Sequence, residues 1–343
     1  MDGSAIHLLA AGTVLPGPVL DNASLIRRFQ LPAVWEQWID TFVGTRQRHF
    51  CVDVETGERR QTMADLGETA GARAMAAAGL RADDIDLIVM GTATPDRLMP
   101  ATVNEIAERL GIDRVPSYQL QSGCTGAVQA LGVAWRMLRS GPERTALVLG
   151  AETSAKFFDL SADITDRPPA ELINALLFGD GGGAAVLTKE PAPASPVLRE
   201  VYVELAGLGR PPGQTMDWYG TAPADDDRSP VNEDYKTIEE TVPKMAVEAF
   251  ERLLDTLGWD ETDVDYLLPP QLSGRMTRRI TETLAVPGAH EVTLVDEIGN
   301  TGNAVAFFQL EHLLPRMSDG DRAIGLSVES SKWIKAGFAL ERS

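Results

Sequence analysis

Cysteine and histidine are scarce in this chain of 343 residues, which contains two cysteines and four histidines. Two cysteines cannot build a disulfide framework, and such low usage favours a reducing cytoplasm. No Cys/His cluster has the spacing of metal ligands, so the sequence predicts no metal site. The chain also lacks an apolar run of about 18 residues and a basic N-terminal segment, so we expect neither a membrane span nor a signal peptide.

Positive charge is in deficit. Lys and Arg number 31 against 50 Asp and Glu, which gives a formal net charge of -19. An acidic surface repels nucleic acid and anionic membranes, so we expect neither as a partner. The simplest role of the excess charge is to keep the protein soluble.

One cysteine, Cys124, lies in the motif Q-S-G-C-T-G-A, between a strand-like run at 115–120 and a small apolar helical pattern at 127–138. A thiol at a helix N-terminus faces free N–H groups and the positive end of the helix dipole. Such a site stabilises thiolate, so we expect the pKa of Cys124 to fall from about 8.5 toward neutrality, as suits a nucleophile. The alternative is a small buried cysteine that only packs.

Parts of the first half of the chain recur in the second half. A helix end, a loop and a buried strand occur around both Asp86 and Asp265. The motif G-C-T-G at 123–126 likewise corresponds to G-N-T-G at 299–302. Two matches in the same order predict a duplicated βαβ-rich unit.

The predicted fold is therefore α/β, with a mixed sheet in each half and helices between and outside the sheets. The proline-rich segment 191–196 predicts the division, which gives halves at 1–190 and 197–343. A second irregular region at 207–230 is either a surface loop or an active-site or docking loop.

Three motifs in order carry a family resemblance: S-G-C-T-G around Cys124, F-G-D-G-G-G-A-A-V-L at 178–187, and G-N-T-G at 299–302. Over nearly its whole length the chain resembles the beta-ketoacyl-ACP synthase III enzymes, which are thiolase-fold condensing enzymes. The resemblance implies a thiolase-like fold with α-β-α-β-α layers, the N-terminal half carrying the cysteine.

The resemblance also implies catalytic roles. Cys124 would take an acyl group from a thioester and hold it covalently, which divides one hard transfer into two easier ones. Its backbone N–H and that of Ser331 would form the oxyanion hole. Asn300 would be the asparagine that helps to stabilise the enolate in the family.

The chain departs from the family at Pro270, which stands where the family has a histidine. In the family that histidine acts with the asparagine on the enolate formed when malonyl-ACP loses carbon dioxide. Proline has no side-chain donor, so Pro270 cannot do this. Asn300 is thus kept without its partner.

No other histidine is a convincing substitute. Spacing along an extended run places His290, and spacing along a helix places His312, well away from Asn300. His7 lies in the first strand, and His49 in a stretch where the family commonly has charged and polar residues. The four histidines are His7, His49, His290 and His312. Glu329, Glu297 and Lys332 lie nearer to the expected site. A desolvated Glu329 or Glu297 is a candidate general base, and the alternative is a solvated loop charge.

Substrate contacts follow from the resemblance. Trp38 matches the tryptophan that stacks on the CoA adenine, and a core tryptophan is the alternative. Arg167 resembles the family's nucleotide-side arginine, and Gln271 falls in the altered histidine segment, where we expect it to bind substrate. Met99 matches the residue that one subunit inserts into its neighbour's acyl pocket, which implies a homodimer.

Arg275, Arg278 and Arg279 form a basic cluster on one helical pattern. In the family this face receives the phosphopantetheine arm and the acidic carrier protein. A local positive patch on an acidic protein favours a steered, salt-sensitive encounter. A solvated helix face is the alternative.

A cysteine, an oxyanion hole and one asparagine suffice for acyl transfer but look inadequate for decarboxylation. Our leading hypothesis is a Cys-dependent acyltransferase that moves an acyl group from CoA or acyl carrier protein to a small-molecule acceptor, without decarboxylation and in natural-product biosynthesis. It needs no permanently bound cofactor. The alternatives are a decarboxylative synthase III and a non-catalytic partner of an active homologue.

Overall fold

Helices and strands alternate along the chain. The computed structural model describes residues 5–157, 173–174, 176–192, 194–217 and 231–342. The strands are β1 (His7–Val14), β2 (Leu20–Asp21), β3 (Gln47–Arg48), β4 (Leu87–Thr92), β5 (Ser117–Gln121), β6 (Thr145–Glu152), β7 (Gly181–Thr188), β8 (Val197–Leu205), β9 (Gln214–Met216), β10 (Val231–Glu233), β11 (Tyr266–Leu268), β12 (His290–Glu291), β13 (Arg322–Glu329) and β14 (Ile334–Glu341). The helices are α1 (Asn22–Arg28), α2 (Val34–Phe42), α3 (Met63–Ala78), α4 (Thr102–Leu110), α5 (Gly126–Ser140), α6 (Tyr235–Leu257), α7 (Gly274–Leu284), α8 (Val295–Ile298) and α9 (Val305–Leu313). The predicted α/β class is confirmed.

Ten strands form one mixed sheet in the order β12-β11-β13-β14-β8-β1-β7-β6-β4-β5. The sheet consists of two sets of five strands with the same topology, β1-β7-β6-β4-β5 and β8-β14-β13-β11-β12. In each set, read from its first strand, two antiparallel pairings are followed by two parallel pairings. A single residue pair, His7 with Val197, joins the two sets. The duplication is thus visible in the strand order, whereas the two sheets expected from the sequence are linked into one. The chain positions of the domain boundaries remain a prediction.

Equivalent aspartates make equivalent contacts in the two sets. The Asp86 carboxylate accepts hydrogen bonds from the backbone N–H groups of Arg144, at 2.9 Å, and Thr145, at 3.1 Å. The Asp265 carboxylate accepts one from the N–H of Arg322 at 2.8 Å. Each aspartate therefore fastens the start of the next parallel strand, β6 or β13.

The hydrophobic core is divided by the sheet into layers. Along β6, Leu147 and Leu149 pack against α3 and α4, while Ala146 and Val148 face α5 and α9. The second set does the same, with α6 and α7 on its outer face and the α5–α9 pair on its inner face. Burial on both faces is what the nearly continuous apolar strands predict. The α-β-α-β-α arrangement follows, with α5 and α9 in the central layer.

Glycines let the central helices lie close to the strands. A Cβ on Gly91 of β4 would come within 2.3 Å of the Gly126 backbone at the start of α5. A Cβ on Gly150 of β6 would come within 2.4 Å of the carbonyl oxygen of Asn303. Backbone cannot yield to such contacts, so these positions require glycine and bring the starts of both central helices together. Among the described helices, none is long and apolar enough to cross a bilayer.

Candidate active site

Cys124 lies in the short turn that joins β5 to α5, as the sequence predicts. The strand ends at Gln121 and the helix begins at Gly126, two residues beyond the cysteine. The hydroxyl of Ser327, on β13 of the other half, donates to the Cys124 carbonyl oxygen at 2.7 Å. The two halves therefore meet at the nucleophile candidate.

The prediction of a lowered pKa for Cys124 is wrong. Burial and, to a smaller extent, the charges of Glu329, Glu152 and Glu233 together raise the pKa of the thiol to about 12. The N-terminus of α5 does not offset this rise in pKa, because the N–H of Ala127 already donates to Asn303 Oδ1 at 2.7 Å. The structure thus holds Cys124 as a thiol rather than a thiolate.

Asn300 comes to the same place from the repeated motif. It is buried, and its Oδ1 accepts from the N–H of Gly302 at 3.0 Å. Its backbone N–H donates to Leu177 O at 3.0 Å, and its carbonyl oxygen accepts from Gly179 N at 3.1 Å. The glycine-rich motif therefore holds the Asn300 turn in position.

Two cavities meet at Cys124 and Asn300. The larger, of about 250 Å³, is lined at one end by these residues and at the other by partly exposed Arg275 and Arg279, so it links the thiol with the surface. The smaller, of about 20 Å³, has room for about one water. An extended thioester arm therefore fits the larger cavity alone.

Pro270 lines the smaller cavity beside Cys124 and Asn300. The position implied by the resemblance is therefore at the site, with an apolar ring in place of a donor. None of the four histidines lines either cavity. His7, His49 and His312 lie next to backbone carbonyl oxygens, while His290 lies against Tyr266. That no histidine replaces the missing one stays a prediction.

Glu329, one of the two candidate bases, is buried at the end of β13 with both carboxylate oxygens engaged. Its Oε2 accepts from the Ser122 hydroxyl at 2.7 Å, from the Thr125 hydroxyl at 2.6 Å and from the Thr125 N–H at 3.3 Å. Its Oε1 accepts from the Ser331 hydroxyl. Glu329 thus ties the nucleophile turn to the turn after β13.

The other predicted groups near this turn fall differently. Ser331 directs its hydroxyl to Glu329, and its neighbour Ser330 lines the larger cavity. Its role as an oxyanion-hole donor stays a prediction. Glu297 is exposed on α8 and lines neither cavity, so the structure does not bring it to Cys124. Lys332 is exposed and donates to the carbonyl oxygen of Arg210 at 2.6 Å.

Asn303 and Glu152 support the site and were missed by sequence reasoning. The Asn303 side chain accepts from Ala127 N at 2.7 Å and donates to Ser122 O at 3.0 Å and to Glu152 Oε1 at 2.5 Å. Asn303 and Ala127 occupy the same place in the two copies of the motif. No sequence signal marks this contact, because it arises only when the two copies face each other.

Glu233 and Gln214 were also missed. Both line the larger cavity, and they face each other across the β9–β10 pair, where the Gln214 amide donates to Glu233 Oε1. Gln214 lies inside the irregular region at 207–230, and Glu233 follows its end, so part of that region borders the cavity as an active-site loop would. The residues 218–230 of that region lie outside those the structure describes.

The predicted substrate-binding residues separate into three groups. Trp38 lines the larger cavity, with its ring centroid 5.5 Å from that of Phe42. Gln271 lines the smaller cavity, although its amide is bonded to backbone groups of residues 292–295. Met99 is 85% exposed and lines neither cavity. Arg167 lies outside the described residues.

The predicted basic cluster is on α7 and is largely ion-paired. Arg275 and Arg279 line the larger cavity, and both contact Glu239 Oε1, at 3.2 and 2.7 Å. Arg278 contacts Asp296 at 3.5 Å and lines neither cavity. The positive charge at the cavity mouth is therefore partly neutralised by the protein itself.

Comparison with known proteins gives one consistent family. The chain matches the family models "3-Oxoacyl-[acyl-carrier-protein (ACP)] synthase III" over residues 118–203 and its C-terminal counterpart over residues 254–329. It is 32% identical to the beta-ketoacyl-[acyl-carrier-protein] synthase III of Rhodospirillum centenum, over 87% of this chain and 86% of the relative.

Solved structures agree with the sequence matches. AbyA1, described as a tetronic acid condensing enzyme, is 55% identical with a TM-score of 0.95, over 98% of this chain and 99% of that one. The 3-oxoacyl-(acyl carrier protein) synthase III of Pseudomonas aeruginosa PAO1 is 26% identical with a TM-score of 0.83, over 98% of each chain. These likenesses confirm the predicted fold.

Proposed function

The chain belongs to the beta-ketoacyl-[acyl-carrier-protein] synthase III family, and we propose that it is a condensing enzyme of natural-product biosynthesis that works without decarboxylation. It loads an acyl group from CoA or an acyl carrier protein onto Cys124. It then passes the group to a carbon or oxygen nucleophile on a small-molecule acceptor. It uses no permanently bound cofactor, because the thioester itself is the substrate.

The observation that carries this proposal is the likeness to AbyA1 together with the composition of the cavities. AbyA1 is 55% identical over nearly the whole chain, a far higher identity than that of the curated synthases. The cavities that contain Cys124 and Asn300 hold Pro270 and no histidine. A site with this composition has lost one donor for an enolate made by loss of carbon dioxide.

Tetronic acids explain which acceptor suits such a site. A tetronic acid is a five-membered lactone, so a condensation that builds one forms a carbon–carbon bond and a carbon–oxygen bond. A carbon between two carbonyl groups is acidic enough to react without losing carbon dioxide, and a hydroxyl supplies the oxygen. We therefore propose that the two molecules that the enzyme joins carry these two nucleophiles between them, an activated carbon and a hydroxyl.

A homodimer is part of this proposal. Leu98 and Met99 are 74% and 85% exposed in the single chain. Two large apolar side chains at one exposed turn favour a protein contact. The resemblance assigns this turn to the subunit interface, and sedimentation equilibrium on the full chain tests it.

The test of the function begins with intact-protein mass after incubation with a panel of acyl-CoA and acyl-carrier thioesters. We expect an adduct on the native protein and none on Cys124→Ala. Addition of hydroxyacyl and β-ketoacyl acceptors should then remove the adduct and give a product that contains both parts. A folded native protein that forms no adduct with any donor would contradict the proposal and favour a non-catalytic partner subunit.

The second candidate is a decarboxylative synthase, which the names of the curated relatives at 30–34% identity favour. Malonyl thioester labelled in its free carboxyl group separates the two. Labelled carbon dioxide released in step with product would support the decarboxylative synthase. Product formed from a β-ketoacyl acceptor without such release supports our proposal.

A further inference from the structure

Glu233 has an unusual carboxyl group for a residue in a cavity wall. It lines the larger cavity with Cys124 and Asn300, and its Oε1 accepts from the Gln214 amide. The residue as a whole is only half-buried, but its Oε2 is closed to solvent and meets no hydrogen-bond partner among the described residues. A buried oxygen without a partner lowers the stability of the fold, so its presence in the cavity wall points to a role other than folding.

The other carboxylates considered for this role are either bonded to the protein or lie away from the cavities. Both oxygens of Glu329 accept hydrogen bonds from the protein. Glu239 lines the same cavity but is paired with Arg275 and Arg279. Glu297 is exposed and lies away from the cavities. Among the described residues of the cavity, Glu233 alone has a carboxyl oxygen that is both buried and without a hydrogen-bond partner.

The surroundings of Glu233 suit a proton acceptor. Burial raises its pKa, and the neighbouring Tyr235 and Gln214 offset part of the rise. Tyr235 gives its hydroxyl proton to Asn174. The Glu233 charge also raises the pKa of Cys124, so the carboxyl lies within electrostatic reach of the thiol. Within the part of the chain that the structure describes, the titratable and charged groups that share this cavity with it are Cys124, Tyr235, Glu239, Arg275 and Arg279.

We propose that Glu233 is the general base of the transfer step, a catalytic role that rests on the function proposed above. In loading, the Cys124 sulfur attacks the donor carbonyl carbon, the carrier thiolate leaves, and the thiol proton passes to that thiolate. The enzyme then holds an acyl–sulfur bond, and the carboxylate of Glu233 stands ready beside it.

In transfer, the Glu233 carboxylate takes a proton from the hydroxyl or activated carbon of the acceptor. The electron pair left on that atom forms the new bond to the acyl carbon. The carbon–sulfur bond breaks, and its electrons go to the Cys124 sulfur. Glu233 then returns its proton to the thiolate, so both residues end the cycle as they began.

The experiment separates loading from transfer. The protein is first acylated and freed of donor, then mixed with acceptor, and loss of the adduct is followed by rapid quench and mass spectrometry. We expect Glu233→Gln to be acylated as the native protein is, but to transfer the acyl group about 10²–10⁴ times more slowly, which is the usual range for a general base. Glu240→Gln, an exposed glutamate on the neighbouring helix, serves as the matched control and should transfer normally.

The pH dependence of transfer gives a second readout. Cys124 is capped in the acyl-enzyme, so its thiol does not titrate during this step. The native rate should rise with pH through the raised pKa of Glu233, and this rise should be absent in Glu233→Gln. Glu233→Asp keeps a proton acceptor on a shorter side chain and should recover part of the rate together with the pH dependence.

Other outcomes overturn the inference. Transfer by Glu233→Gln at the native rate, or loss of loading together with transfer, would show that Glu233 is not the base of the second step. If Glu233→Gln does not fold, native transfer that is independent of pH between about 5 and 9 would overturn it. Failure of the native protein to form the Cys124 adduct sinks the proposed function instead, so the two failures are distinct.

Discussion

The carboxylate of Glu329 accepts hydrogen bonds from both the N–H and the hydroxyl of Thr125, the residue that follows Cys124. A negative charge is thereby fixed beside the thiol. Together with burial, it raises the pKa of Cys124 to about 12. The thiol of Cys124 is therefore protonated at neutral pH.

This arrangement predicts slow alkylation of Cys124 by iodoacetamide. At pH 7 the rate should be at least about a hundredfold below that of an exposed cysteine with a pKa near 8.5, and it should rise with pH well beyond 9. Glu329→Gln removes the charge, lowers the pKa of the thiol and should speed the reaction. Peptide mass mapping gives the rate at each cysteine separately.

Glu297→Gln is the control for this measurement, since Glu297 is an exposed carboxylate that lines neither cavity. It should leave the alkylation rate unchanged. If the alkylation rate instead shows that Cys124 is half ionised near neutral pH, the structure is contradicted. The lowered pKa expected from its position before a helix would then be correct.

A second prediction concerns Asn303, which joins the two halves beneath the nucleophile. Asn303→Ala removes the acceptor of Ala127 N–H and the donor to Glu152, and both are buried. Groups left without partners cost about 1–3 kcal/mol each, so we expect the free energy of unfolding to fall by about 2–4 kcal/mol. Urea unfolding followed by circular dichroism measures it.

The matched control is Asn104→Ala, which changes an exposed asparagine on α4. Surface changes of this kind stay within about 0.5 kcal/mol. An Asn303→Ala protein as stable as this control would mean that the contacts between the two halves at this point contribute nothing to folding.

A third prediction concerns pH and stability. Burial raises the pKa of Glu152 from 4.5 to about 7, and burial also raises the pKa of Asp180 to about 6. Between about pH 4.5 and 7 the folded state holds protons that the unfolded state has lost, so stability falls as pH rises through this window. Glu152 should account for a loss on the order of 3 kcal/mol in the free energy of unfolding across this window.

Urea midpoints at pH 5 and pH 7.5 test this. The native protein should lose more stability between the two than Glu152→Gln does, because the neutral amide does not titrate. Glu108→Gln, an exposed residue on α4, should behave as the native protein and controls for the change in net charge. Equal losses in all three proteins would show that Glu152 is not the titrating group.

The sequence predicts much of the site and little of its electrostatics. Cys124 and Asn300 are predictable because the same turn occurs twice, and Pro270 because it breaks a family segment. The pKa of the Cys124 thiol cannot be predicted in this way, because it depends on which carboxylates other segments of the chain bring near it. Whether Glu329 is free or fully bonded, and whether Glu233 enters the cavity, are decided by contacts between residues far apart in the chain.

The last prediction concerns docking of a carrier protein at the cavity mouth. Glu239 contacts both Arg275 and Arg279, so it neutralises charge that an acidic carrier would otherwise meet. These pairs are half exposed and contribute little to stability, so breaking them should leave the fold intact. Glu239→Gln frees both guanidinium groups, and we expect the KM for carrier-bound substrate to fall about two- to fivefold at low salt.

Arg279→Ala should have the opposite effect and raise that KM. Neither change should alter the KM for a small thioester such as an acyl-N-acetylcysteamine, which carries no protein surface. Added salt should raise the KM for the carrier-bound substrate alone, because screening weakens attraction between exposed charges. If both variants shift the KM of the two substrates equally, the arginines act on the thioester arm inside the cavity, and α7 is not the docking face.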